Sequence, residues 1–434
     1  MHDEPVPSRP TAPPRFFLPE VARTHSGPRA PLITTAGLAG ATDAGQQAVV
    51  ELSAGPVTVA ELLELAVVRQ RALETTGRTR HLVSARVPQP VITGAKDARL
   101  IAEARQFRRA ALARLGPSAR PEFVWQRHEA FHDAGLRVAQ KMQAPFVASV
   151  HALKVRESRS WGVRRPGWAG LVERVGERSV LWRADLIACV TDEIAEQVAE
   201  LVGRDDRVTV LPNGVDTDTF RPGPADPRLR DELGLRDRFV IGWTGSFRPF
   251  HAVDQLLAAV RRLQEVDEEV ALLLVGDGVR RHVVEQSCAR LRLRDVRFAG
   301  AVAFDDVPRY LRLMDVCVVP ADASGVFHYS PTKLREYMAC GRAVVAANRG
   351  EVGRRFAGGQ GVVTVAPGRP DALADAIAGL RDHPDRRRAI GRVGRERVCR
   401  TESWHRRLEQ IRGALATGPM CSDRRTTVGR MRPL

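Results

Sequence analysis

From residue 238 onward the chain repeats one pattern: a short apolar run, a turn of small residues, then a longer stretch with helical periodicity. RFVIGWTG precedes HAVDQLLAAVRRLQ, ALLLVGDG precedes RRHVVEQSCARLRL, DVRFAG precedes DDVPRYLRLM, and VVTVAP precedes DALADAIAGLRD. Strands that are apolar along their whole length must be covered on both faces, and intervening helices allow parallel neighbours. The pattern predicts an α/β architecture with a parallel sheet whose ligands bind beyond the carboxyl ends of the strands. Upstream, EFVWQR, PFVASVHA, ADLIACV and RVTVLPN also read as strands, and TDEIAEQVAELVG as a helix capped by Thr191. The turn-rich stretch NGVDTDTFRPGPADPR (213–228) is where a domain boundary should fall. The expected division is a disordered Pro-, Arg- and Ser-rich segment (1–30), a first domain (31–215), a second domain (216–415) and a loose tail (416–434). Within 31–120, VTVAELLELAVVRQRALE and ARLIAEARQFRRAALARL have helical spacing, but no first strand followed by a glycine-rich turn is legible.

A chain of 434 residues is too long for one ordinary core, and 44% hydrophobic residues can fill two. The formal charge of +16 raises the question of nucleic acid, a reading that predicts affinity falling steeply with salt. The 67 Lys+Arg are scattered among 51 Asp+Glu, aromatics are only 5%, and no zinc spacing, basic helix or aromatic-plus-basic sheet pattern occurs. No nucleic-acid partner is expected. The excess charge fits attraction for phosphorylated ligands, with weak peripheral membrane association as a further expectation. The six cysteines lie far apart with no C-x-x-C, and Cys189 and Cys317 sit in apolar runs as small core residues. That suits a reducing cytoplasm. No apolar stretch reaches about 18 residues and the N-terminus lacks a signal peptide's apolar centre, so a soluble, cytoplasmic protein is expected.

The strand ends carry the chemistry. In SPTKLREYMACGRAVVAANRG (330–350), Ser330 reads as an N-cap, Pro331 as the first helical residue and Gly341 as the stop, with AVVAA a buried strand. Lys333 then stands where a capping box wants an acid and where the helix dipole disfavours a cation. Either Lys333 snorkels into water, or an anion occupies the helix start, held by free N–H groups and neutralised by the lysine. GWTGSFRPFH (242–251) places Arg248 and His251 after another strand, VGDGVRR (275–281) places Gly276 and Gly278 around Asp277, and ADASGVFHYSPTK (321–333) adds a glycine and His328. Together these loops set amide donors and cationic or potentially cationic groups at one mouth, which suits a diphosphate. Glu336, one turn beyond Lys333, reads either as a solvated ion-pair partner or as an acceptor for ribose hydroxyls.

LPNGVDTDTFRP, GSFRPFHAVDQLL, LLLVGDG, VRFAGAVAFDDVPRYLRLMDVCVVP and SPTKLREYMACGRAVVA occur in this order and spacing. The series resembles the nucleotide-sugar half of retaining GT-B glycosyltransferases of the glycosyltransferase family 4 type (glycosyl transferases group 1). The resemblance is strong over about 205–410, fair over 121–204, and undetectable before 120. It implies two Rossmann-like domains facing across a cleft, the atypical N-terminal one (31–215) holding the acceptor and the C-terminal one (216–415) the nucleotide sugar. It implies a hexosyltransferase that moves sugar from a nucleoside-diphosphate sugar to a hydroxyl of a secondary metabolite, lipid or glycan. Retention of configuration, no cofactor and no bound metal are also implied.

By position, Glu336 matches the glutamate that contacts the donor ribose, and Ser330–Thr332 match the phosphate-binding turn. The loops at Gly245 and Gly276 join this donor set. Family members usually carry an Arg and a Lys in the loop that reads GSFRPFH here; Ser246 and His251 fall at those places, and Lys333 and Arg248 would compensate. An acidic residue common eight positions before the ribose glutamate is His328 here, as a subgroup feature, and it would bond the donor sugar or fill the loop. The expected catalytic set is His151, Lys333 and Arg248. His151 ends its strand facing the cleft; His128 and His132 are weaker acceptor-side candidates, and Asn213 and Gly214 shape the turn into the crossover. The departures at Ser246 and His328 keep open a second reading, a catalytically silent protein that binds a nucleotide sugar or assists a partner.

Overall fold

The computed structural model describes residues 32–35, 49–51, parts of 93–109, and 121–160, 165–278, 280–324 and 330–417. Six strands form a first sheet: β1 (Leu32–Thr35), β2 (Val49–Glu51), β3 (Val124–Arg127), β4 (Phe146–Val150), β5 (Leu186–Cys189) and β6 (Val208–Val210). Their order is β2-β1-β3-β4-β5-β6, parallel except for the antiparallel edge pair β1/β2. LITT (32–35) is therefore the first strand that could not be read from the sequence. The predicted segment 57–74 lies outside the described residues, as do 1–30 and 418–434. The described residues between 93 and 109 are helical.

The second sheet contains β7 (Phe239–Thr244), β8 (Val270–Val275), β9 (Val296–Gly300), β10 (Val316–Val319), β11 (Ala343–Ala347) and β12 (Val363–Val365). It is wholly parallel, in the order β12-β11-β10-β7-β8-β9. This is the doubly wound Rossmann order, and it reverses direction between β7 and β10. Apolar clusters cover both faces, one around Leu273, Leu334 and Met338 and the other around Trp243, Leu257 and Leu272. Cys189 and Cys317 are core residues, and Thr191 caps its helix through Oγ1, which accepts from Ile194 N at 3.3 Å.

The chain passes between the two units twice, side by side. Val215 N donates to Glu402 O at 3.1 Å and Trp404 N to Val215 O at 3.2 Å, forming a parallel bridge between Val215 and Ser403. A Cβ on Gly214 would lie 2.7 Å from the Trp404 ring, so the crossings touch closely enough to require glycine. The final helix, Trp404–Thr417, packs Leu408 and Ile411 on Phe123, Trp125 and Val147 of the first sheet, and Arg412 Nε donates to Glu122 at 2.9 Å. The second unit thus ends at the Ser403 crossing rather than at 415, because the last helix buries its apolar face against the other sheet.

A buried ionic cluster sits at this crossing. Glu402 is fully buried and accepts from Arg335 Nε at 3.1 Å, from Arg355 at 3.2 Å and from Arg407. Arg335, also fully buried, reaches Glu351 at 2.5 Å and Ser330 Oγ at 3.0 Å. Burial pushes the Glu402 carboxyl up, but Arg335, Arg407 and Arg355 more than offset it and hold it at about 2. The group stays ionised in the fold below its ordinary value of 4.5, so it contributes stability above about pH 4.5 that is lost as pH falls towards 2. Glu402→Gln should cost about 3–5 kcal/mol at pH 7 by leaving buried guanidiniums uncompensated. Urea titrations should show the gap between variant and wild type narrowing from pH 4.5 to pH 2; a constant gap would deny the carboxylate this role.

Candidate functional site

The strand order reverses between β7 and β10, the place where doubly wound sheets bind their ligands. The helix Thr332–Ala339 starts there. Its buried face is set by Leu334, Tyr337 and Met338, as the spacing predicts. Tyr337 Oη accepts from Thr244 N at 2.7 Å and so locks the helix to the end of β7. The start differs by one residue from expectation: Pro331 is the N-cap, with no side-chain cap bond, and helical residues begin at Thr332. Ser330 cannot cap because its buried hydroxyl already accepts from Arg335 and, at 3.3 Å, from Asn213 N, while Asn213 Nδ2 donates to Ser330 O at 2.8 Å. The N–H groups of Thr332 and Lys333 have no acceptor among the described residues.

Lys333 is half-buried. Its Nζ lies 4.3 Å from the centre of the Trp243 ring, and a Cβ on Gly245 would come within 2.7 Å of it. Gly245, at φ +146°, leaves the space that the ammonium occupies. Gly276 does the same for backbone: at φ +128° its missing Cβ would lie 2.0 Å from Gly245 O, so the loops after β7 and β8 stack directly. Burial lowers the Lys333 amine to about 7, with Glu336 acting in the opposite sense. Burial raises Glu336 to about 7, countered by Lys333. The Glu336 side chain has no hydrogen-bond or ion-pair partner among the described residues, so the solvated ion pair is not formed. Lys333 is folded back over Trp243 at the helix start instead of extending into water.

His251 corrects an expectation. Burial, then the nearby charges of Lys333 and Arg248, push its imidazole down to about 2, against the opposing bond from Nδ1 to Ser246 O. It packs edge-on to Trp243 with ring centres 5.5 Å apart and stays neutral, so it adds no charge to the cationic mouth. Arg248 lies over the Phe250 ring at 5.9 Å in the same loop. His328 lies outside the described residues.

On the first sheet His151 follows β4 directly and is half-buried; burial, then Arg127, hold its imidazole well below the usual value, hence neutral. His128 and His132 are each 4% exposed, so they pack under the strand ends rather than line an open surface. One continuous helix runs from Ala169 to Leu181 with a π-helical stretch at Val172–Arg178. From it the fully buried Glu177 accepts from Lys154 N at 2.5 Å, bracing the helix that follows His151, while Gly176 O accepts from Phe131 N at 2.7 Å beyond β3. The sequence reading passed over Trp243, Arg335, Glu177 and Glu402. One available signal was residue choice: among 67 Lys+Arg only Lys96, Lys141, Lys154 and Lys333 are lysines, and Lys154 and Lys333 each stand in the first turn of a helix that follows a strand.

Comparison with known proteins agrees with both halves. The family model described as Glycosyl transferases group 1 matches residues 238–383, and that described as Glycosyltransferase Family 4 matches 63–219. The D-inositol 3-phosphate glycosyltransferase of Thermomonospora curvata is 31% identical over 297 residues, 63% of this chain and 66% of that protein. The GDP-mannose-dependent alpha-(1-6)-phosphatidylinositol monomannoside mannosyltransferase of Mycolicibacterium smegmatis is 28% identical over 247 residues, 56% and 65%. The chain thus spans somewhat under two thirds of the length of these curated relatives. Anabaena HepE, solved in complex with UDP, superposes with a TM-score of 0.55 at 21% identity, covering 68% of this chain and 78% of that one. Sucrose-phosphate synthase from Thermosynechococcus elongatus gives 0.56 at 22%, covering 72% and 77%. Those two likenesses establish the two-domain GT-B fold. With both halves matched in chain order on that fold, the chain belongs to the GT-B glycosyltransferases of group 1, family 4.

Proposed function

We propose that this chain transfers a sugar from a nucleoside-diphosphate sugar to an acceptor hydroxyl, with retention at the anomeric carbon. The observation that carries the reading is Lys333, packed on Trp243 over Gly245 at a helix start where, among the described residues, the Thr332 and Lys333 N–H groups have no acceptor and Glu336 has no hydrogen-bond or ion-pair partner. Supporting it, HepE has been solved with UDP and with UDP-glucose, and the mycolicibacterial relative is named for GDP-mannose. Donor pyrophosphate would sit on the Thr332 and Lys333 amides, and Glu336 would accept from the ribose hydroxyls. As the glycosidic bond breaks, charge grows on the leaving diphosphate and falls to Lys333, Arg248 and the amides, so no metal is assigned to the step. The acceptor hydroxyl, lying towards His151, attacks from the face the diphosphate leaves.

The amine of the empty site titrates at about 7, and an arriving diphosphate raises it. Nucleoside diphosphate binding should therefore take up a proton at pH 8, and affinity should fall as pH rises above 7, by up to about tenfold per unit. Isothermal titration with UDP and GDP in buffers of different ionisation enthalpy reads this directly; pH-independent binding would remove Lys333 from the diphosphate site.

Lys333→Ala should weaken UDP or GDP binding by about 10- to 100-fold and slow transfer at least as much. Lys333→Arg should bind nucleoside diphosphate without the fall in affinity above pH 7, since a guanidinium stays charged throughout that range. Near-normal turnover by the alanine variant would reject the lysine as a charge stabiliser.

His151→Ala should lower product formation by about 100-fold while nucleotide affinity changes less than about twofold. Equal losses of both would place His151 in donor binding instead. Binding of UDP-sugars by the wild type without product or donor hydrolysis would favour the silent reading.

A further inference from the structure

Adjacent residues of the π-helical stretch Val172–Arg178 hold the two loops that leave β3 and β4. Gly176 O accepts from Phe131 N at 2.7 Å, and a Cβ on Gly176 would lie 3.0 Å from the Phe131 ring. Phe131 is kept there at φ +70°, a left-handed conformation that costs a bulky residue free energy and persists only where neighbours impose it. Glu177 reaches the other loop. Its Oε1 accepts from Lys154 N at 2.5 Å, at the first residue of the helix Lys154–Ser160. Only Ala152 and the buried Leu153 separate Lys154 from His151. The far end of the same helix is tied by Ser158, whose Oγ accepts from Arg165 Nη1 at 2.5 Å.

A glutamine would offer Lys154 the same acceptor oxygen at a smaller desolvation cost, so the carboxylate calls for a reason beyond packing. Glu177 is fully buried, and burial lifts its carboxyl to about 7, against the Lys154 and Val155 amides, which favour the ionised form. Charged groups on the elements packed around it are Glu173 on its own helix, Lys154 and Glu157 on the helix it braces, Glu129 on the Phe131 loop, Arg165, and Glu200 on the helix Asp192–Val202. Of these, Glu173 opposes ionisation and Arg165 favours it. Arg165 is already paired with Asp97 at 2.8 Å, and Glu200 with Arg156 at 2.7 Å. The Glu177 side chain therefore exchanges a proton near neutral pH while seated on a helix start. Ionised, it holds the amides through charge-assisted bonds about twice as strong as those of the neutral acid.

We propose that Glu177 is a positioning residue: it fixes the backbone after β4 that presents His151 to the cleft, and it grips that backbone more tightly in its ionised form. Its importance for transfer rests on the acceptor-side role proposed for His151. The corresponding brace behind the Lys333 helix, Glu402, stays ionised through the same range.

Glu177→Gln keeps the acceptor oxygen but cannot ionise, and Glu177→Ala removes it. Because Lys333 and Glu336 titrate in the same range, the glutamine variant isolates the contribution of residue 177. Hydrogen–deuterium exchange of the full chain should show protection at Lys154 and Val155, corrected for intrinsic exchange, rising about fivefold from pH 6 to pH 8 in the wild type. Glu177→Gln should match the wild type at pH 6 and stay flat. Glu177→Ala should stay at least about fivefold below the pH 8 wild type throughout. In histidine-labelled protein, the His151 Cε1–Hε1 signal, identified by its loss in His151→Ala, should move with a midpoint of about 7 in the wild type and not in Glu177→Gln. His151 itself stays neutral there. The proposal is overturned if the wild type and Glu177→Gln share one protection profile, or if the His151 signal moves alike in both. Should Glu177→Ala fail to fold, the glutamine comparison still decides. Neither readout needs sugar transfer: an inactive wild type counts against the proposed activity alone, and a failed comparison here leaves that activity standing.

Discussion

One buried carboxylate holds the machine together. Glu402 lies at the point where the chain leaves the second domain for the last time, and it is ringed by Arg335, Arg355 and Arg407. Arg335 belongs to the helix that carries Lys333 and Glu336, and Arg407 to the helix docked on the first sheet. A single group therefore ties the Thr332–Ala339 helix to the interdomain crossing. Replacing such a cluster by apolar side chains could preserve stability, but it would give up the defined geometry between Ser330, Asn213 and the crossing. Charge here serves position more than net stability.

The two domains repeat this device. Each contains a π-helical stretch, Val172–Arg178 in the first and Val398–Glu402 in the second, and each stretch carries a fully buried glutamate. Widening a helix turn frees backbone and re-aims side chains, which is why such segments collect at functional sites. Glu177 is aimed at the backbone after His151, and Glu402 at the arginine behind Lys333. The environments differ in sign. Glu177, with backbone donors and little opposing charge, is raised to about 7 by burial, whereas Glu402 among guanidiniums is held at about 2. Glu402 thus keeps its charge across the physiological range, while Glu177 gains a proton near neutral pH.

Much of the second domain was legible because β7, β8, β10 and β11 are apolar end to end, leaving only one way to cover them. Lys333 stood out because it contradicts the helix dipole. Arg335, two residues later, gave no such sign: in a chain so rich in arginine, a buried one looks like the exposed majority. LITT is too short and mixed to read as a strand before its partner β3 is known. The final helix showed its apolar stripe, but a stripe does not say which sheet it faces, and so the boundary at 415 fell on the wrong side of the crossing. Ser330 looked like a cap because its competing partners, Arg335 and Asn213, are 5 and 117 residues away.

The use of lysine at 333, in a chain that otherwise prefers arginine, has a physical reason. A guanidinium stays charged in any protein environment, whereas burial can neutralise an amine. An amine can give up its proton when the crevice is empty and recover it when an anion arrives, so the free site does not hold an uncompensated buried charge. Trp243 lowers the cost of the charged state through its ring face, and Glu336, one turn on, titrates in the same range. Lysine and glutamate, both moved by burial towards 7, leave the vacant site close to neutral, and on the proposed reading a diphosphate would restore the ammonium.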